Sequence, residues 1–134
     1  MTEDKKPRIL VLDWQLSTLT SLDSLLSREG NHVTTCATAA AAMGVLSAHK
    51  FDLVIAGRCG PERDGAVLVS KIKTHSPETR VLLLIEPEDD PMIADAIAAG
   101  ADGLLRKTYT EGQVLQRVER LLRVAQVSHP TWIS

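Results

Sequence analysis

An α/β fold, with a five-stranded parallel sheet doubly wound by five helices, is predicted by three observations in this chain of 134 residues. Short apolar runs recur at 9–12, 53–56, 81–85 and 103–106, each of strand length and each followed by a polar residue or glycine. Between them lie stretches with apolar side chains at helical spacing, so strand and helix signals alternate along the chain. The turns carry Gly, Pro, Asp and Thr where helices should stop and start. Right-handed crossovers then put helices on both faces of the sheet.

Taken in order, Ile9, Leu10, Val11 and Leu12 form the first strand and end at Asp13. Leu16, Leu19, Leu22, Leu25 and Leu26 make the stripe of the first helix, which Gly30 ends as a C-terminal cap. Residues 32–36 alternate like a short edge strand, and Thr38 caps an alanine-rich helix that runs to about Ala48. The third strand, 53–56, enters a Gly/Pro turn, and a helix starts at Asp64 and Gly65, covers 66–74 and breaks at Ser76 and Pro77. After the fourth strand, Asp90 and Pro91 suit the N-cap and first turn of a helix ending at Gly100. Its spacing turns Ile93, Ala96 and Ile97 inward and leaves Met92, Ala98 and Ala99 outward. The fifth strand precedes Thr110 and Gln113, a capping box that opens a last helix to about Gln126. The expected organisation is one domain, 8–126, followed by a tail, 127–134, that contains Trp132.

Composition narrows the function classes. With 44% hydrophobic and 24% charged residues the chain can bury one adequate core and has no room for a second domain of ordinary size. A net charge of −2 gives no electrostatic footprint for nucleic acid or an anionic membrane. No apolar run is long enough to span a bilayer, and the N-terminal MTEDKKPR is charged rather than signal-like, so a cytoplasmic location is expected. Cys36 reads as a buried strand residue and Cys59 as a loop thiol. His32, His49, His75 and His129 lack ligand spacing, so no metal, cofactor or catalytic residue is expected.

In a parallel sheet the ends of the strands emerge on one edge, where open α/β sheets bind their ligands. That edge should therefore collect Asp13, Gly57, Glu86 and Lys107. Four pieces of sequence meet there or near it: ILVLD at 9–13, DLVI followed by Pro61 and by Asp64 and Gly65, AAGADG at 98–103, and Lys107. In order and spacing this set resembles the receiver domain of two-component response regulators, the chemotaxis-regulator-like family with flavodoxin-like topology. The resemblance covers residues 8–123 in one register.

The resemblance implies a phosphorylatable signalling module of bacterial type, and it also shows what this chain lacks. Receivers hold Mg²⁺ with adjacent acids after the first strand and accept a phosphoryl group on an aspartate after the third. A hydroxyl residue after the fourth strand and an aromatic on the fifth report the event. Here the acid pair reads Asp13 and Trp14, the acceptor position is Gly57, the hydroxyl position is Ile85 and the aromatic position is Leu104. Lys107 is kept, followed by Thr108 rather than proline. The degenerate pocket is thus expected to comprise Asp13, Trp14, Gly57, Arg58, Ile85, Glu86 and Lys107.

An ion pair between Asp13 and Lys107 is expected in place of a metal site, with Arg58 a candidate third member. Trp14 either plugs the former phosphate cavity or points outward over the start of the first helix. The acidic run Glu86, Glu88, Asp89 and Asp90 is expected to be solvated, with Asp90 capping.

The expected function is that of an atypical, phosphorylation-independent receiver, an interaction module rather than an enzyme. What the resemblance implies about partners is a protein or a second copy docked on the fourth helix, fifth strand and fifth helix. Candidate surface residues are Met92, Asp95, Ala98, Asp102, Arg106, Tyr109 and Arg117, with a rival bland patch on the second helix at Ala40, Ala41, Gly44 and Ser47. The alternative is a flavin-like or other small-molecule site on the same topology, for which Ser17, Thr18, Thr20 and Ser21 offer hydroxyls. Against it, that segment lacks glycine and Asp13 would repel a phosphate.

Overall fold

The computed structural model describes residues 6–59 and 64–127; Pro61 of the motif, the tail 128–134 and Trp132 lie outside the described residues. Five parallel strands, β1 (Arg8–Leu12), β2 (His32–Cys36), β3 (Leu53–Ala56), β4 (Arg80–Ile85) and β5 (Gly103–Arg106), pair in the order β2-β1-β3-β4-β5. The helices between them are α1 (Leu16–Arg28), α2 (Ala39–Ala48), α3 (Gly65–His75), α4 (Ile93–Ala98) and α5 (Glu111–Val127). The doubly wound sheet expected from the alternation is the one observed, with β2 on its edge.

Strand alternation splits the core in two. Leu10, Leu12, Val54, Ala56, Val81 and Leu83 face α2, α3 and α4, whereas Ile9, Val11, Leu53, Ile55, Leu82 and Leu84 face α1 and α5. Apart from the exposed Arg8 that opens β1, the central strands β1 and β3 are buried on both faces, which is why they read as continuous apolar runs. Leu19, Leu22, Leu25 and Leu26 of α1 are buried, but Leu16 is 75% exposed. It stands at the first helical position, ahead of the buried stripe.

The helix ends follow their local chemistry. Gly30 adopts φ +90 and its N–H donates to the Ser27 carbonyl at 3.0 Å, closing α1 in a conformation that a side chain disfavours. The Thr38 hydroxyl accepts the Ala41 N–H at 3.1 Å, and the Asp64 carboxylate accepts the Ala66 N–H at 2.9 Å. Thr110 and Gln113 form the expected reciprocal box, at 2.9 and 3.1 Å.

The β4–α4 connection differs from expectation. Residues Pro87–Met92 form a 3₁₀ turn, and α4 proper spans only Ile93–Ala98. Pro91 inside the acidic stretch removes a backbone donor, so the segment winds in a tighter local form before α4 begins. Asp90 is therefore not the cap of α4; its carboxylate pairs with Arg106.

Candidate functional site

Asp13, Gly57, Glu86 and Lys107 are each the residue directly after a strand, so the sheet carries all four to one edge. Backbone bonds fix their heights: the Gly57 N–H donates to the Leu12 carbonyl at 2.6 Å and the Lys107 N–H to the Ile85 carbonyl at 2.9 Å. The peptide bond between Lys107 and Thr108 is cis.

Asp13 is completely buried. Its carboxylate lies over Gly57, so closely that a Cβ at position 57 would stand 2.0 Å from Oδ2 and 3.0 Å from Cγ. Any side chain at position 57 would require that carboxylate to shift from this arrangement. A buried charge must be paired and hydrogen-bonded. Oδ1 accepts the Gln15 N–H at 2.8 Å, and Oδ2 meets Lys107 Nζ at 3.3 Å.

Lys107 Nζ also meets Glu86 Oε2 at 3.2 Å and Gln15 Oε1 at 3.2 Å. Burial by itself would lower the pKa of this ammonium, but the charges of Asp13 and Glu86 and the hydrogen bonds to both outweigh it and raise the pKa above 10.5. The ion pair expected between Asp13 and Lys107 is present, with Glu86 rather than Arg58 as its third charged member. Tyr109 is half-buried beside this group, and burial pushes its phenol pKa up.

Arg58 turns the other way. Its guanidinium donates to Asp89 at 2.9 Å and lies 3.5 Å from Glu88, and the Asp89 hydrogen bond raises its pKa despite desolvation. Asp89 is buried and its second oxygen accepts the Glu86 N–H at 2.9 Å. The acidic run is thus only partly solvated: Glu86 and Asp89 are held inside the fold by Lys107 and Arg58. Cys59, expected as a loop thiol, is completely buried in the core facing α2 and α3.

Trp14 is 56% exposed and its N–H donates to the Arg58 carbonyl at 2.7 Å, so the ring points outward and fills no cavity. Ile85 is buried at the end of β4, and Leu104 is half-buried against the core facing α2, α3 and α4.

The candidate surface residues separate. Asp95 and Ala98 are exposed on α4, but Met92 is half-buried, with its sulfur 3.3 Å from the Gly65 N–H. Ile97, expected to face inward, is 54% exposed, while Ala96 is buried. The shortness of α4 explains the exchange: a helix of this length can present only about one inward position per turn. Asp102 binds Lys73 at 3.0 Å and Arg80 at 3.4 Å, Arg106 pairs with Asp90, and Arg117 donates to the Leu104 carbonyl.

Two contributors escaped the sequence reading. Gln15 gives Asp13 a backbone donor and Lys107 an acceptor, and Asp89 closes the turn after β4. The second was legible as an acid three residues after Glu86, the spacing of a capping box. Among the described residues no helix is long and apolar enough to cross a membrane, and no group of three or more His, Cys, Asp or Glu side chains is placed to hold a metal ion.

Comparisons with known proteins agree with the topology. Chemotaxis protein CheY of Bacillus subtilis is 28% identical over 116 residues, covering 86% of this chain and 97% of its own length. The alkaline phosphatase synthesis transcriptional regulatory protein PhoP of Bacillus subtilis is 25% identical over 124 residues, and the chain spans only 52% of its length. The alginate biosynthesis transcriptional regulatory protein AlgB of Pseudomonas putida is 29% identical, and the chain spans 28% of it. Among solved structures, the signal receiver domain of an HD domain-containing protein from Pseudomonas fluorescens Pf-5 superposes with a TM-score of 0.86 at 29% identity, covering 95% of this chain and 94% of that one. The family described as response regulator receiver domain matches residues 3–119, and with the sheet order β2-β1-β3-β4-β5 and the strand-end cluster in place, this chain belongs to that family.

Proposed function

We propose that this chain is a phosphorylation-independent receiver of two-component signalling, working in the cytoplasm as a protein-interaction module with no catalysis of its own. The observation that carries the reading is Gly57 at the end of β3 with the Asp13 carboxylate folded over it. Transfer of a phosphoryl group to a receiver requires a carboxylate nucleophile there and a cation to neutralise the phosphoryl oxygens. Glycine supplies no nucleophile.

The residues present do not fit Mg²⁺. Such an ion favours an octahedral set of oxygens, whereas Asp13 offers one carboxylate whose two oxygens already accept from Gln15 and Lys107. The Lys107 ammonium thus supplies the neutralising charge itself. Ile85 carries no hydroxyl to reach towards a phosphoryl group, and Leu104 is an aliphatic core neighbour rather than a mobile ring. In this reading the domain holds one arrangement and presents α4, β5 and α5 constantly to a protein partner or a second copy.

The flavin-like alternative gains nothing from the geometry. The amides that a phosphate would need are engaged, Trp14 N–H with the Arg58 carbonyl and Gln15 N–H with Asp13.

Beryllofluoride with Mg²⁺, which mimics a phosphoryl group on a receiver aspartate, tests the reading. Amide NMR shifts of the strand-end residues are expected to stay in place. Saturable shifts at Asp13, Gly57 and Lys107 would defeat it.

A further inference from the structure

The two outer edges of the sheet are not alike. On the β5 edge the Leu104 carbonyl is already taken by the Arg117 guanidinium, and Arg106 sets a charge beside it. β2 forms the other edge and pairs with β1 alone. The His32 N–H donates to the Pro7 carbonyl at 2.8 Å and the Cys36 carbonyl accepts the Asp13 N–H at 3.2 Å, so residues 32, 34 and 36 direct their backbone groups to β1. Val33 and Thr35, at the alternate positions, turn N–H and C=O away from the sheet, and those groups have no hydrogen-bond partner among the described residues.

Proteins guard such an edge with lysine and other charges, with proline or with a bulge, because unpaired backbone groups are a template for another strand. β2 has none of these: its sequence is HVTTC and its register with β1 is unbroken. No Asp, Glu, Lys or Arg occurs in residues 33–48, a stretch that takes in α2. The α2 residues that face water are Ala40, Ala41, Gly44, Ser47 and Ala48, none larger than serine. This side of the molecule thus joins free backbone donors and acceptors to an uncharged helix that another helix can approach closely.

We propose that β2 pairs with β2 of a second copy of the chain, antiparallel about a twofold axis at Thr34, so that two sheets become one continuous sheet. In that register Val33 lies opposite Thr35 of the other copy and each such pair exchanges both hydrogen bonds, so every outward group of the two residues finds a partner. Thr34 meets its own equal across the axis, a favourable cross-strand pair. The axis stands perpendicular to the sheet and keeps both α2 helices on one face. Each α2 lies over β1 and β2, so strands about 4.8 Å apart bring the two helices to about 8–10 Å, a distance that small side chains permit. A strand from another protein could satisfy the same edge but would bring no second uncharged α2 with it. The pairing does not depend on whether the domain is phosphorylated, and it leaves α4, β5 and α5 open.

Sedimentation velocity over a concentration series of the whole chain, with hydrogen exchange read at single amides, tests this. The chain is expected to dimerise reversibly, and the Val33 and Thr35 amides to exchange more slowly as the dimer forms. Thr35→Pro removes an outward donor at an edge position that tolerates proline, and should weaken the dimer by about tenfold to a hundredfold. Gly44→Glu is the second variant. A Cβ there meets nothing within 4 Å and glutamate suits a helix better than glycine, so the monomer should melt no lower while the dimer dissociates. A chain that stays monomeric at millimolar concentration, a dimer in which the Val33 and Thr35 amides exchange as in the monomer, or a dimer that Gly44→Glu leaves intact would overturn the proposal. The association is measured without beryllofluoride, so either result can fail while the other stands.

Discussion

The Asp13 carboxylate occupies the space that a side chain at Gly57 would need, its Oδ2 lying 2.0 Å from an ideal Cβ there. Residues 44 positions apart in sequence, at the ends of neighbouring strands β1 and β3, thus share one small space. The buried acid folds over a strand end that carries no side chain.

Gly57→Ala should therefore destabilise the domain by about 1–3 kcal/mol in urea unfolding, the range for overpacking a tight site. Gly57→Asp should cost more, because it adds a second carboxylate beside a buried one. Neither change is expected to bring switching, since Ile85 and Leu104 still lie where a relay would begin. In an Asp13→Ala background the Gly57→Ala penalty should largely vanish, a coupling that a double-mutant cycle reads directly. Additive effects would show that the two residues do not compete for the same space.

Lys107→Met should lower stability by about 3 kcal/mol, since it leaves Asp13 buried with one backbone donor and Glu86 without its cation. The pH dependence has a definite sign. The folded pKa of Lys107 is raised above its ordinary 10.5, so its stabilising contribution is complete below that value and is lost as pH rises through the folded pKa. The gap in unfolding free energy between wild type and Lys107→Met should accordingly hold from neutral pH to about 10 and narrow in more alkaline solution. A gap that widened with alkalinity would contradict the pairing.

Asp89→Ala removes both the Arg58 contact and the acceptor for the Glu86 N–H, so it should destabilise more than Arg58→Ala, which spares the second bond. A difference of about 1 kcal/mol is expected between the two variants. Equal effects would mean that the hydrogen bond closing the turn after β4 contributes little.

Millimolar Mg²⁺ should alter neither the melting temperature nor the Trp14 emission, read in a Trp132→Phe background. Linkage gives little stabilisation when ligand concentration is near or below the dissociation constant, and here Lys107 holds the position beside Asp13 that a cation would take. A saturable quench with a raised melting temperature would reveal a working metal set.

Most of the architecture was readable in the sequence because the strands are short uninterrupted apolar runs and the caps at Gly30, Thr38, Asp64 and Thr110 are local signals. The strand-end cluster was equally readable, since every strand of a parallel sheet delivers its last residue to the same edge. The direction of individual side chains was not. Whether Trp14 points in or out is a tertiary fact with no periodic signature. Glu86, Glu88, Asp89 and Asp90 look alike in sequence, yet Lys107 and Arg58 draw Glu86 and Asp89 inward and leave the others exposed. The inward placement of Ile97 failed for a similar reason: Pro91 and the 3₁₀ turn shorten α4, and a periodicity argument needs more helix than is there.

The most direct test of phosphorylation independence is incubation with acetyl phosphate and Mg²⁺, followed by intact-mass measurement and peptide mapping. The unmodified mass should persist, with no phosphoryl group on any carboxylate at the strand-end edge. An acid-stable, hydroxylamine-labile adduct mapped to Asp13, Glu86 or Asp89 would contradict the account, because it would show that the pocket still offers a nucleophile.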